Sequence, residues 1–102
     1  MLLVITSPKA RKDIKSFFHH ISKDDLAVAY RLLDKIENTH ELISNSPKMG
    51  QTFETTSPRL LGMRWFPVKD FPKHLVFYIE SSTKITIVRV LHKAQDISNI
   101  LK

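Results

Sequence analysis

The nine residues from Lys84 to His92, Lys-Ile-Thr-Ile-Val-Arg-Val-Leu-His, carry apolar side chains at Ile85, Ile87, Val88, Val90 and Leu91. So dense a β-branched run suits a strand covered on both faces. Arg89 stands in its middle, where a cation needs a partner or water. A carboxylate such as Glu80 or Asp96 is the expected partner, and a surface that receives another molecule is the alternative. If alternation holds, Val88 and Val90 point opposite to Ile87, Arg89 and Leu91. The Arg89 face is then the one a partner would cover, with its apolar neighbours forming an exposed patch.

Helical periods dominate the first half. Leu2 to Thr6 reads as a short strand, and Ser7-Pro8 opens a helix with serine as N-cap and proline at the first helical position. Ile14, Phe17, Phe18 and Ile21 repeat at the spacing of one buried face, while Lys9, Arg11, Lys12 and Lys15 make the outward face basic. Ser22, with Asp25 three residues on, predicts the cap of a second helix. Almost no loop is left between the two, so they form an antiparallel hairpin. Leu26, Ala29, Leu32, Leu33, Ile36, His40 and Ile43 mark the second buried stripe, and Asn45-Ser46-Pro47 ends it. Residues 44–58 are polar and turn-rich and read as a surface loop.

After Pro58 the period becomes that of strands. Leu60 to Val68 reads as one strand, with Pro67 marking an edge or a bulge, and residues 70–73 as a turn. His74 to Glu80 is the next strand, with Leu75, Phe77 and Ile79 on one face and Val76 and Tyr78 on the other. Ser81-Ser82-Thr83 turns into the last strand, and Asp96 is placed to cap a short helix from Ile97 to Leu101. The order β-α-α-β-β-β-α describes an α+β fold: an antiparallel three-stranded meander covered by a helical hairpin, with the N-terminal strand at an edge or beside the last strand. At 102 residues with 42% hydrophobic and 25% charged side chains, residues 1–102 are expected to form a single domain.

Charge and composition narrow the functional classes. The net charge of +6 is concentrated in residues 57–102, which carry +5 against +1 for residues 1–56. That asymmetry suits an anionic partner, or else a solvated basic face. The absence of cysteine fits a cytoplasmic protein without disulfides. The N-terminus carries no basic segment of a signal peptide, and no apolar run reaches bilayer length, so a soluble protein without a membrane partner is expected. The five histidines (His19, His20, His40, His74, His92) show no metal spacing, and two glycines cannot build a phosphate loop. No metal or cofactor is therefore expected.

What remains is a basic sheet interleaved with aromatic residues: Arg64, Trp65, Phe66, Lys69, Lys73, Tyr78, Arg89, His92 and Lys93. Metal-free RNA cleavage would need an acid or base, for which His92 is the candidate, and cations, for which Arg64, Arg89 and Lys93 are the candidates. Such aromatic residues more often serve as core, and a histidine at a strand end, as His92 is, more often as a turn hydrogen-bonder.

Three stretches in this order, Leu60-Leu61-Gly62-Met63-Arg64-Trp65-Phe66-Pro67-Val68, Val76-Phe77-Tyr78 and Ile87-Val88-Arg89-Val90-Leu91-His92, resemble the ParE branch of the ParE/RelE toxin superfamily. Pro47-Lys48-Met49-Gly50 is similar to that family's Asn-Pro-x-x-Gly loop, with Ser46 in place of the frequent asparagine. The resemblance spans nearly the whole chain. It implies a toxin of a type II toxin–antitoxin system, often serving plasmid stabilisation, wrapped and neutralised by the C-terminal segment of a cognate antitoxin in a hetero-oligomer. ParE-like members inhibit DNA gyrase, and RelE-like members cut messenger RNA on the ribosome.

The chain departs from the ParE pattern after its last strand. His92 and Asp96 match, but Lys93-Ala94-Gln95 lies between them, without the glycine and with one basic residue. Gln95 cannot replace a phosphate-binding cation. The missing cation weighs against a ribonuclease, and the ParE resemblance implies a gyrase-directed, growth-inhibiting toxin that acts by binding, with no catalytic residues. Arg64, Trp65, Lys69, Arg89, Leu91, His92 and Lys93 are then the candidates for contacting target or antitoxin. An mRNA endoribonuclease is the alternative, and a non-toxic degenerate member or small nucleic-acid-binding domain is the third reading.

Overall fold

The computed structural model describes residues 2–102. Its elements are β1 (Leu3–Thr6), α1 (Pro8–Ser22), α2 (Leu26–Asn45), β2 (Gln51–Thr52), β3 (Arg64–Val68), β4 (Phe71–Glu80), β5 (Lys84–His92) and α3 (Ile97–Ile100). The predicted order holds, with one strand added. β2 lies inside the expected loop and pairs with β3, because two residues are too short to show alternation. The sheet order is β1-β5-β4-β3-β2. β1 lies at an edge, parallel to β5, and β3, β4 and β5 form the antiparallel meander.

Local chemistry sets the helix ends. Ser7 Oγ accepts the Ala10 N–H at 3.0 Å, with Pro8 in the first turn, as the sequence predicts. The second cap differs from expectation. The Ile21 carbonyl accepts from both Asp24 and Asp25, so α1 runs through Ser22, whose hydroxyl turns back to the His19 carbonyl. Asp25 takes the cap position and accepts the Val28 N–H. Leu26, expected in the buried stripe, is then the first residue of α2 and is 55% exposed. Phe18 packs its ring edge-on to Tyr30 across the hairpin.

The hairpin covers one sheet face, where Ala10, Leu32, Ile36 and Ile43 bury Val76, Tyr78, Ile85, Ile87 and Val90. Two hydroxyls on α2 tie it down further. Thr39 Oγ1 accepts the Lys69 N–H of the β3–β4 turn, and Ser44 Oγ donates to the Leu2 carbonyl. That turn is Lys69-Asp70 rather than residues 70–73. Asp70 adopts a positive φ of 65°, which aspartate tolerates, and the strand resumes at Phe71. The predicted irregularity at Pro67 is present as a register shift between Pro67 and Val68.

The opposite face is a second core. Leu60, Met63 and Leu101 close over Leu75, Phe77 and Leu91, with Phe53, Trp65, Ile97 and Ile100 packed around them. Leu60 belongs to a 3₁₀ turn, Pro58–Leu60, and not to a strand, so β3 begins at Arg64. Leu91 is therefore fully buried, which removes it from the surface patch predicted around Arg89.

Alternation in β5 is broken by a bulge. Tyr78 pairs with Ile87 and Phe77 with Arg89, leaving Val88 unmatched. The extra residue reverses the parity, so Ile87 and Val90 share the helical face while Val88 and Leu91 belong to the other.

Candidate functional site

The bulge decides the fate of Arg89. β1 pairs with β5 only as far as Ile87, so the edge of β5 beyond it faces α1. Ser7 seals the first part: its N–H donates to the Ile87 carbonyl and its hydroxyl to the Val88 carbonyl. Asp13 seals the rest. Arg89 donates Nε and Nη2 to the two Asp13 oxygens, each at 2.8 Å, and the Val90 N–H donates to the same carboxylate at 3.0 Å. The side chains are only 12% (Asp13) and 20% (Arg89) exposed. The bond to Asp13 pushes the Arg89 pKa up, so the guanidinium stays charged. Arg89 thus has a carboxylate partner, but it is neither of the two expected. Glu80 pairs with Lys48 at 2.9 Å, and Asp96 accepts from Ser98 and Asn99 side chains instead of capping the α3 backbone.

A second constellation holds the loop after α2. The Gly50 N–H donates to Tyr78 Oη at 3.0 Å, and that hydroxyl donates to the Pro47 carbonyl at 2.8 Å. Burial pushes the Tyr78 pKa up, which keeps the donor proton in place. Arg64 donates to the Gly50 carbonyl at 2.8 Å and to the Lys48 carbonyl at 3.3 Å. Gly50 needs no unusual backbone angle, with φ −69°. It needs room, because a Cβ there would lie 2.2 Å from Tyr78 Oη.

The third constellation is the turn after β5. The His92 N–H donates to Gln95 Oε1 at 2.7 Å, and the Ala94 N–H donates to His92 Nδ1 at 2.9 Å. The His92 ring stands edge-on to the His74 ring, with centroids 4.9 Å apart. Phe17 packs on His74 at 4.8 Å. Burial first, and the His92 charge second, lower the His74 pKa to about 4. Burial alone does the same for His40. Both are neutral in the folded protein near pH 7, and His40 Nε2 and His74 Nδ1 are buried without partners among the described residues.

These histidines predict acid sensitivity. In the unfolded chain they titrate near 6.5, and in the folded chain near 4. Between those values the unfolded state binds more protons, so stability is full above about pH 6.5, falls as pH drops toward 4 and levels off below. Each group contributes at most about 3 kcal/mol to that loss. Urea denaturation at pH 7 and pH 4.5 should show it, and His40→Leu should flatten part of the slope. An equal midpoint at both pH values would contradict it.

The seven predicted contact residues are not gathered into one site. Arg64 is level with Tyr78 in the sheet, and His92 with His74, four residues along β4, or roughly 13 Å. Trp65 is half-buried on the outer core, while Lys69 and Lys93 are exposed. Sequence reading missed Asp13, Gly50, Tyr78 and His74 as the groups that organise the neighbours of these residues. The available signal for Asp13 is its position as the one acid among the basic residues of α1. Among the described residues, no group of three or more His, Cys, Asp or Glu side chains is placed to hold a metal.

The fold matches a known family along almost its full length. A model of the ParE toxin of type II toxin–antitoxin systems matches residues 4–97. The chain belongs to the ParE toxin family. A solved structure of a chromosomal ParDE toxin–antitoxin system from P. aeruginosa superposes with a TM-score of 0.70 at 15% identity, covering 90% of this chain and 96% of the other. At that identity the likeness is one of fold. No curated protein matches the chain. Among the described residues of this ParE family member, no helix is long and apolar enough to cross a membrane.

Proposed function

We propose that this ParE family toxin acts by binding DNA gyrase and is held inactive by a cognate antitoxin in the cytoplasm. The observation that carries the binding mechanism is the occupation of the two arginines a metal-free nuclease would use. Arg89 is spent on Asp13 and the bulged edge of β5, and Arg64 on the carbonyls of Lys48 and Gly50. His92 Nδ1 accepts the Ala94 N–H and Gln95 closes the turn, which fixes the ring while its Nε2 stays open. Lys93 and Lys73 are exposed side by side, the Lys93 N–H donating to the Lys73 carbonyl at 2.8 Å, but both arginines are held by other partners and do not converge with them. Charge stabilisation of a cleaving phosphate needs such convergence. A rigid basic surface suits association with a larger partner instead.

Expression of the chain without an antitoxin is expected to stop growth and raise a DNA-damage response, and co-expression of the antitoxin to restore growth. Rapid cleavage of ribosome-bound messages under the same induction would replace the gyrase reading with the endoribonuclease one. An absence of toxicity would identify a degenerate member.

A further inference from the structure

The sheet has two edges of different kinds. β2 ends one side with two exposed polar residues, Gln51 and Thr52, too short to template another strand. β1 ends the other with Leu-Val-Ile-Thr, which has none of the charge, proline or bulge that ordinarily guards an edge. Val4 packs into the helical core, so Leu3 and Ile5 point to the opposite face, where they are 64% and 39% exposed. The second core includes no residue of β1 and leaves them open.

Backbone direction follows from the contacts at both ends of β1. The Ser7 N–H donates to the Ile87 carbonyl, so the odd-numbered residues address β5. The even-numbered residues address the open side, and the helices reach two of them there. Ser44 Oγ donates to the Leu2 carbonyl and Arg11 Nε to the Thr6 carbonyl. Between these, the Val4 N–H and carbonyl have no strand neighbour. Charge is divided along the same edge. Glu41 lines a groove with Leu2 and Ser44, while Arg11 and Lys15 line one with Thr6. Among the described residues, Glu41, Arg11 and Lys15 take part in no ion pair.

We infer that β1 is a self-pairing edge: two copies of this chain join antiparallel about a two-fold axis at Val4 and run their sheets together. Val4 of each copy then exchanges both backbone bonds with Val4 of the other, and each Thr6 N–H meets the second lone pair of a Leu2 carbonyl. Leu3 lies opposite Ile5 of the second copy, so the exposed apolar side chains cover one another. Leu2 of one copy faces Thr6 of the other, which brings Glu41 to Arg11 and Lys15 across the axis. The edge is thus complementary to itself in backbone, apolar surface and charge, and this selects a second copy as its occupant. A parallel pairing would set Glu41 against Glu41 and Arg11 against Arg11.

Sedimentation of the purified full chain without other proteins, combined with amide hydrogen exchange, tests it. The mass is expected to pass from one chain to two between roughly 1 µM and 1 mM, with the Val4 and Thr6 amides protected only in the dimer. Ile5→Lys puts an ammonium on the edge with its stem toward solvent, and should weaken the dimer about tenfold or more with an unchanged circular dichroism spectrum. Arg11→Glu and Glu41→Arg each set like charges together and should weaken it about threefold at low salt, and combining the two should restore it. Recovery in the double variant separates lost pairing from lost folding. A chain that stays monomeric throughout that range would overturn the self-pairing edge. So would a dimer that I5K leaves intact while the Val4 amide exchanges freely. Protection of Val4 that arises only on adding an antitoxin would give the edge to the antitoxin and overturn it as well.

Discussion

Asp13→Ala is expected to lower the unfolding free energy by about 3 kcal/mol, since it strands a largely buried guanidinium. For a domain of this size that corresponds to a fall of roughly 12 °C or more in melting temperature. Three donors lose their acceptor at once: Arg89 Nε, Arg89 Nη2 and the Val90 N–H. The backbone donor matters because β1 stops pairing with β5 at Ile87, so no strand neighbour is there to take it. Arg89→Ala should cost less than Asp13→Ala, because the carboxylate keeps the Val90 N–H. The double variant should be more stable than the sum of the single losses implies, by about 1–3 kcal/mol. Thermal melts of the four proteins measure this. Additive losses would mean that the pair is not coupled and that Arg89 is free for another role.

Gly50→Ala should be comparably severe, by about 2–4 kcal/mol. The new methyl would collide with Tyr78 Oη at 2.2 Å and with the ring carbons Cε1 and Cζ at 2.9 Å. Tyr78 is itself fully buried under the helices, so it has no space into which to retreat. Relieving the clash requires the Pro47–Gly50 segment to lift away. That would break both hydroxyl bonds and the Arg64 contacts. Tyr78→Phe makes the contrast: it removes the hydroxyl without a clash and should cost about 1–3 kcal/mol through the unsatisfied Gly50 N–H. Chemical denaturation ranks the two, and a Gly50→Ala protein as stable as Tyr78→Phe would contradict the packing account.

Local chemistry was legible from the residues alone. Ser7-Pro8 announces a helix start, and the spacing of Ile14, Phe17 and Ile21, or of Ala29, Leu32, Ile36 and Ile43, announces a face, because these signals lie within a few turns of the chain. The same holds for the opposed faces of Leu75, Phe77 and Val76, Tyr78. What escaped is non-local. Asp13 and Arg89 are 76 residues apart, and nothing in either neighbourhood names the other. The bulge at Val88 has no residue signature, yet it reverses the parity of everything after it. The second core is assembled from Leu60, Met63 and Leu101, which lie in turns and a terminal segment without periodicity. The family resemblance was legible in sequence order, while the reason for its Pro47–Gly50 loop, a glycine pressed against Tyr78 Oη, required the packed structure.

The binding mechanism is tested most directly by adding the purified chain to gyrase acting on relaxed plasmid. Loss of supercoiling is expected with the parent chain and equally with His92→Ala, and the antitoxin should restore activity in both. Unimpaired supercoiling, together with cleavage of ribosome-bound messenger RNA by the parent chain but not by His92→Ala, would contradict it.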